Sequence, residues 1–267
     1  MSGDDRRGRT LTVRDGNQPL MRLLHEQLAR PSEELVWQVA LGEVAASLPP
    51  MGPEPFDPFA RAGVPDVDVP PHVQELWSRP FQVGQQIELG TPGFRQVPTG
   101  PVTQPSSQGR WWTLPQVGDG AACLETTAGP FLGAPSVAAF GMEDAQIQTG
   151  PEFFEDLTWR AVEPVFEPRV YEIDGPEAWC RLIDRFPGTV ARSGRGRGDS
   201  WLTQWFPGRV IHEPYWPDVA EQVDVVHLTQ MAYLTCAYAP IPYRDGVTTV
   251  TGWGPDLAVW LRHPRQG

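Results

Sequence analysis

The chain contains no lysine. All 21 basic residues are arginine, set against 33 acids for a formal net charge of −12 over 267 residues. A GC-rich bacterial coding bias explains the absence most economically. Its physical consequence is that every cation is a planar, permanently charged fork suited to carboxylates, phosphates or aromatic faces. It also excludes the G-x-x-x-x-G-K-[ST] phosphate loop, whose lysine does not exist here. Cysteine is scarce: Cys123, Cys180 and Cys236 are spread over more than a hundred positions without C-x-x-C spacing. That excludes a disulfide framework or zinc ribbon and predicts buried, reduced thiols. No apolar run approaches the roughly 18 residues that span a bilayer, and MSGDDRRGRTLTVRDG at the start lacks the apolar core of a secretory signal. A cytoplasmic location without membrane contact is therefore expected. Bulk acidity argues against nucleic acid or anionic membrane as partner. Metal-ligand spacing is also missing: His212-Glu213 and His227 lack the i,i+4 pairing of H-E-x-x-H, so no metal site is expected and no cofactor is indicated. The sequence-adjacent carboxylates, such as Glu143-Asp144, would point to opposite faces of a strand and read as solvated charges.

What is present falls into zones. Residues 1–17 read as a disordered tail. Residues 18–48 carry two short amphipathic helices, with Leu20, Leu23, Leu24 and Leu28 on one face of the first and a stop at Pro49-Pro50. They form a helical hairpin or a docking element. Residues 49–108 hold 13 of the 30 prolines, which precludes a continuous sheet and marks a Pro-rich connector, with a helical turn or two at 72–81. Residues 109–265 hold nine of the eleven tryptophans and 20 of the 33 acids. Strands are expected there at 110–114, 135–142, 157–166, 169–174, 201–206, 225–229, 248–253 and 257–262. One clear helix starts at Asp174-Gly175-Pro176, with Asp174 as its cap, and buries Trp179, Leu182, Ile183 and Phe186. A second, short helix is expected at 217–223. The fold class is α+β, a C-terminal mixed-sheet domain preceded by the helical element and the connector.

Two constellations stand out. Arg192, Arg195 and Arg197 alternate with Ser193 and three glycines, so backbone amides and guanidiniums could close on a phosphate or carboxylate. This is also the one local patch that would tolerate nucleic acid. Asp224 and His227 stand in D-x-x-H spacing on an extended segment, where a carboxylate could orient an imidazole. Trp201 and Trp205, four apart on a predicted strand, share one face. Trp216, between Pro214-Tyr215 and Pro217-Asp218, is the tryptophan expected to be exposed at a site.

Two families are similar in places. Asp224-x-x-His227, with Gly198-Asp199-Ser200 about 25 residues earlier, resembles the last block and the nucleophile block of GDSL-type esterases, which implies hydrolysis. A strand carrying Arg169 and Tyr171 followed by the Pro176-Glu177-x-Trp179 helix is loosely similar to small ADP-ribosyltransferase-type domains. That likeness implies an NAD-binding cleft with Arg169 and Tyr171 at the ligand. The terminal glutamate motif of many such enzymes has no counterpart after 229, Glu221 being the last glutamate.

The best reading is an acidic recognition or accessory module that binds a protein or small ligand through the 192–229 surface. Its ligand-binding residues would be Arg169, Tyr171, Arg192, Arg195, Arg197, Trp201, Trp205 and Trp216. The rival is an NAD- or nucleotide-directed transferase or a hydrolase using Asp224, His227 and Ser193. A third reading is an assembly subunit whose N-terminal arm contacts another subunit.

Overall fold

The computed structural model describes residues 71–84, 86–90, 100–104, 113–118, 121–127, 158–189, 206, 208–237, 239–254 and 256–264. The tail, the helical element at 18–48, the strand expected at 135–142 and, but for Phe206, that at 201–206 lie outside them.

The described residues are α+β, built on a mixed four-stranded sheet. Its order is β5 (Leu124–Thr127), β13 (Leu257–Trp260), β10 (Val225–Leu228), β7 (Val170–Ile173). β7 and β10 run parallel, with His227 opposite Glu172, and the other two pairings are antiparallel. Parallel neighbours need a long crossover. It runs through helix α2 (Pro176–Arg185), the strand pair β8 (Pro187–Thr189) and β9 (His212–Pro214), and helix α3 (Trp216–Gln222). Helix α4 (Gln230–Cys236) follows β10 directly.

The central strands VVHL and LAVW are buried at every position because both faces of the sheet are covered. On one face Ile173, Val226, Leu228, Leu257 and Val259 join the helices in the main core. On the other, Val225, Ala258, Trp260 and Leu124 pack with Phe81 and Val162. The latter two come from a helix-and-loop segment, with α1 at Pro71–Trp77, and from a strand pair, β1 (Gln86–Gly90) with β6 (Thr158–Val162).

Helix α2 forms where the pattern predicts it. Pro176 fixes the first turn, Glu177 and Arg185 complement the two ends of the helix dipole, and Ala178, Trp179, Leu182 and Ile183 face the core. Its cap differs from expectation. Pro176 at the first helical position makes Gly175 the cap, and Asp174 instead lies 3.8 Å from Arg181. Phe186 closes the last turn on the Leu182 carbonyl before Pro187 begins β8. Helix α4 escaped the pattern search. Its start is set by Thr229, whose hydroxyl accepts the Ala232 amide at 3.1 Å.

The predicted strand at 110–114 and much of that at 248–253 become something else. Residues 110–112 lie outside the described residues, and Thr113 and Leu114 belong to no strand. After the hairpin β11 (Ile241–Tyr243) and β12 (Gly246–Thr248), the chain runs past Thr113 to form a polar hub. The Thr113 amide and hydroxyl both donate to the Thr251 carbonyl, at 2.9 and 3.1 Å. The same hydroxyl accepts from the Thr251 amide at 3.1 Å and from Trp253 Nε1 at 3.2 Å. One donor and two lone pairs are thus all used.

The Thr113 carbonyl takes Trp216 Nε1 at 2.9 Å, and Trp179 Nε1 donates to Thr248 Oγ1 at 2.8 Å. Three tryptophans, Trp179, Trp216 and Trp253, therefore pack on one another with centroids 6.2–6.4 Å apart while each indole N–H keeps a partner. Such pairs contribute about 0.5–1.5 kcal/mol each beyond simple burial. This overturns the expectation for Trp216. It is fully buried, because α3 begins at Trp216 itself and turns the indole into the core.

Residues 102–104 of the Pro-rich segment are stitched into this domain. Gln104 donates to the Pro214 carbonyl at 3.0 Å and accepts the Trp216 amide at 2.9 Å, and strand β2 (Val102–Thr103) pairs with β3 (Gln116–Val117). Strand β4 (Ala121–Ala122) completes that small sheet.

Candidate functional site

Two clusters of ionisable side chains lie on the sheet, and the D-x-x-H pair is divided between them. Asp224 precedes β10 at one end, whereas His227 is in mid-strand; the two side chains share no contact and each has its own partners.

His227 is completely buried between β7 and β13, with Phe81 tilted against its ring at 6.2 Å. Nδ1 lies 2.5 Å from Glu172 Oε2, its neighbour across the parallel register, and Nε2 lies 3.4 Å from Asp256 Oδ1. Burial alone would push the imidazole pKa down, but hydrogen bonds and charge from Asp256 and Glu172 outweigh it and raise the pKa to about 9. At neutral pH that shift favours the protonated ring, in which both nitrogens can donate to the flanking carboxylates. Glu172 also accepts the Phe81 amide at 2.7 Å, which ties the 71–84 segment to the sheet. Asp256 sits at φ 60, a left-handed turn that Asp tolerates better than most residues.

Asp224 orients Arg169 rather than His227. Its nearly buried carboxylate accepts the Arg169 backbone amide and Nε on Oδ2, both at 2.8 Å, and Nη2 on Oδ1 at 2.9 Å. Those hydrogen bonds from Arg169 hold its pKa below the usual carboxylate range. Arg169 Nη1 reaches the Glu221 carbonyl at 3.0 Å. Arg262 Nη1 lies 4.0 Å from Asp224 Oδ1, and its guanidinium stacks over Phe166 at 4.4 Å. These groups line a cleft of about 480 Å³, walled by Pro101, Pro217, Ala220, Leu124 and Trp260. Its size falls within the range of small-ligand sites.

The remaining sequence candidates separate. Tyr171 is on the opposite face of β7 from the His227 cluster, half-buried against α2, its hydroxyl donating to the Ala178 carbonyl at 2.8 Å. Burial pushes its phenol pKa up. Trp216 is in the core. Ser193, Arg192, Arg195, Arg197, Trp201 and Trp205 lie outside the described residues. Among the described residues no group of three or more His, Cys, Asp or Glu could hold a metal ion, and no helix is long and apolar enough to cross a membrane.

Three relevant side chains escaped sequence reasoning. Glu172 stands alone in a β-branched and aromatic strand, Asp256 lies in a Gly-Pro-Asp turn, and Arg262 follows an apolar strand. Each carried a local signal of an acid or base where burial is expected. Only the strand register gives them partners. A fourth, Glu125 on β5, has its carboxyl pKa raised by burial to about 7. No family model, curated protein or solved structure matches the chain.

Proposed function

We propose that this domain acts by recognition rather than turnover, as a module that binds a small ligand or the end of a partner chain in the Arg169–Arg262 cleft. The observation that carries this reading is the contrast between the two clusters. His227, the only histidine of the four-stranded sheet among the described residues, is buried with its ring nitrogens 2.5 and 3.4 Å from carboxylates, which disfavours general-base chemistry. The arginines that border the cleft are half-exposed and held in place. Part of the cleft wall, Pro217 to Asp224, belongs to the 192–229 surface that the sequence singles out. The free thiols of Cys123, Cys180 and Cys236 favour a reducing, cytoplasmic setting.

The test is a thermal-shift screen of nucleotides, NAD, dipeptides and small carboxylic acids against the full chain and Ala220→Phe, which fills the cleft. One ligand class should stabilise the wild type and lose its effect in the variant. Turnover of NAD or p-nitrophenyl acetate above the buffer rate would overturn the recognition reading.

A further inference from the structure

Resting on the recognition reading, we infer that the cleft is an anion site. Arg169 and Arg262 together take one carboxylate or phosphate group of a small ligand whose apolar body lies against Pro101, Pro217 and Ala220.

The inference starts from the donor inventory. A guanidinium has five N–H groups. Three of those on Arg169 are engaged, two by Asp224 and one by the Glu221 carbonyl. That leaves one on each terminal nitrogen, in the plane of a group whose position is fixed by four hydrogen bonds counting its backbone amide. Pre-organised donors lose little freedom on binding, so they hold an anion better than a mobile surface arginine.

The second part is charge. The Arg169–Asp224 pair neutralises itself. Arg262 is half-exposed, at ion-pair rather than hydrogen-bonding distance from Asp224, and makes no side-chain hydrogen bond to a described residue. Its backbone amide, with that of Leu261, donates to the Asp224 carbonyl, at 3.3 and 2.9 Å, so its main chain is fixed beside Arg169. Stacking on Phe166 uses the face of the guanidinium and leaves the N–H edge available. Two guanidiniums thus share the one Asp224 carboxylate, and Arg262 keeps its side-chain donors for a ligand, in a chain whose net charge is −12. Glu221 is the opposing charge. It lines the same cleft and is exposed, as Arg262 is, so solvent screens both. A bulk acidic surface with one local pair of arginines favours a small anion over an acidic macromolecule, which the rest of the surface would repel.

The probes are phenyl phosphate, phenylacetate and the neutral phenylacetamide, titrated calorimetrically into the full chain, its Arg262→Gln and Glu221→Gln variants, and Ala220→Phe. Both anions should bind, the amide at least about ten-fold more weakly. Arg262→Gln should weaken the anions by about ten- to a hundred-fold, the loss of one charge-assisted hydrogen bond. Arg262 anchors no described hydrogen bond with its side chain, so this variant keeps the fold; Glu221→Gln should bind the anions at least as tightly as wild type. Which anion binds more tightly identifies the natural head group as carboxylate or phosphate. Amide binding as tight as acid binding, an Arg262→Gln variant with unchanged affinity, or no anion bound at about 10 mM overturns the anion site. If the amide binds and Ala220→Phe abolishes that binding, the recognition reading stands while the anion assignment falls. If an anion binds through Arg262 and is consumed, the reverse holds.

Discussion

Replacing Thr113 by valine changes almost no volume and removes one oxygen. That oxygen donates to the Thr251 carbonyl and accepts from the Thr251 amide and from Trp253 Nε1. The carbonyl keeps the Thr113 amide at 2.9 Å. The two donors, both in the buried hub, lose this acceptor. A buried donor deprived of its partner costs about 1–3 kcal/mol. Because both bonds are long, 3.1 and 3.2 Å, the lower half of that range applies, for a total of about 2–4 kcal/mol. Thr113→Ser keeps the hydroxyl and deletes a methyl, a loss of about 1 kcal/mol. Urea unfolding followed by tryptophan emission reads both, since three of the indoles report on this hub. The valine variant should unfold at distinctly lower urea with an unchanged slope. In the proton–nitrogen spectrum the Trp253 indole resonance should move in the valine variant and stay in the serine variant. A valine variant as stable as the serine variant would show that shape, not hydrogen bonding, maintains the hub, and would refute the argument.

Other expectations concern charge and close approach. The folded pKa of His227, about 9 against an ordinary 6.5, means that its stabilisation is complete below about pH 6.5 and is lost as pH rises through 9, a swing of about 3 kcal/mol in an unfolding series. Glu125, raised to about 7 from 4.5, acts in the same sense between those values, so stability should peak on the acid side of neutrality rather than near pH 8. Asp256→Asn removes one carboxylate from His227 and should bring the alkaline loss to lower pH; an unchanged profile would remove Asp256 from the cluster. Gly246→Ala would place a Cβ 2.0 Å from the Val210 carbonyl oxygen, which already accepts the Val247 amide, and should cost about 3 kcal/mol or more by thermal denaturation. Gly208→Ala, at φ +71 with nothing within 4 Å, should cost only about 1 kcal/mol of backbone strain. Equal losses at the two glycines would contradict the close approach at Gly246.

The elements that could be read from the sequence are those whose signals are local. Helix α2 has proline at its first position and a four-residue apolar stripe, β13 is an unbroken apolar run, and β10 is apolar but for His227. Each is decided within about ten residues by φ restriction and periodicity. The three-tryptophan cluster was legible only as composition. Its members are contributed by α2, α3 and the loop after β12, and nothing local tells an indole that will be buried from one in a prolyl loop, which is why Trp216 was misplaced. The Pro-rich segment shows the same limit. Proline counts forbid long elements, but Gln104 and Phe81 enter the domain through hydrogen bonds to residues about a hundred positions away.

By itself the sequence determined the chemistry available: guanidinium as the sole lasting cation, an acidic surface, scattered thiols and an α+β pattern. The tertiary structure decided which groups meet. Only Val225 and Val226 separate Asp224 from His227, yet parallel pairing of β10 with β7 gives the aspartate to Arg169 and the histidine to Glu172. The physical reason is that a sheet's register and its crossover connections set side-chain neighbours across the chain, and the energy of those contacts is non-local. The same register places Asp224 beside an arginine-lined cleft and His227 in a buried carboxylate–imidazole cluster.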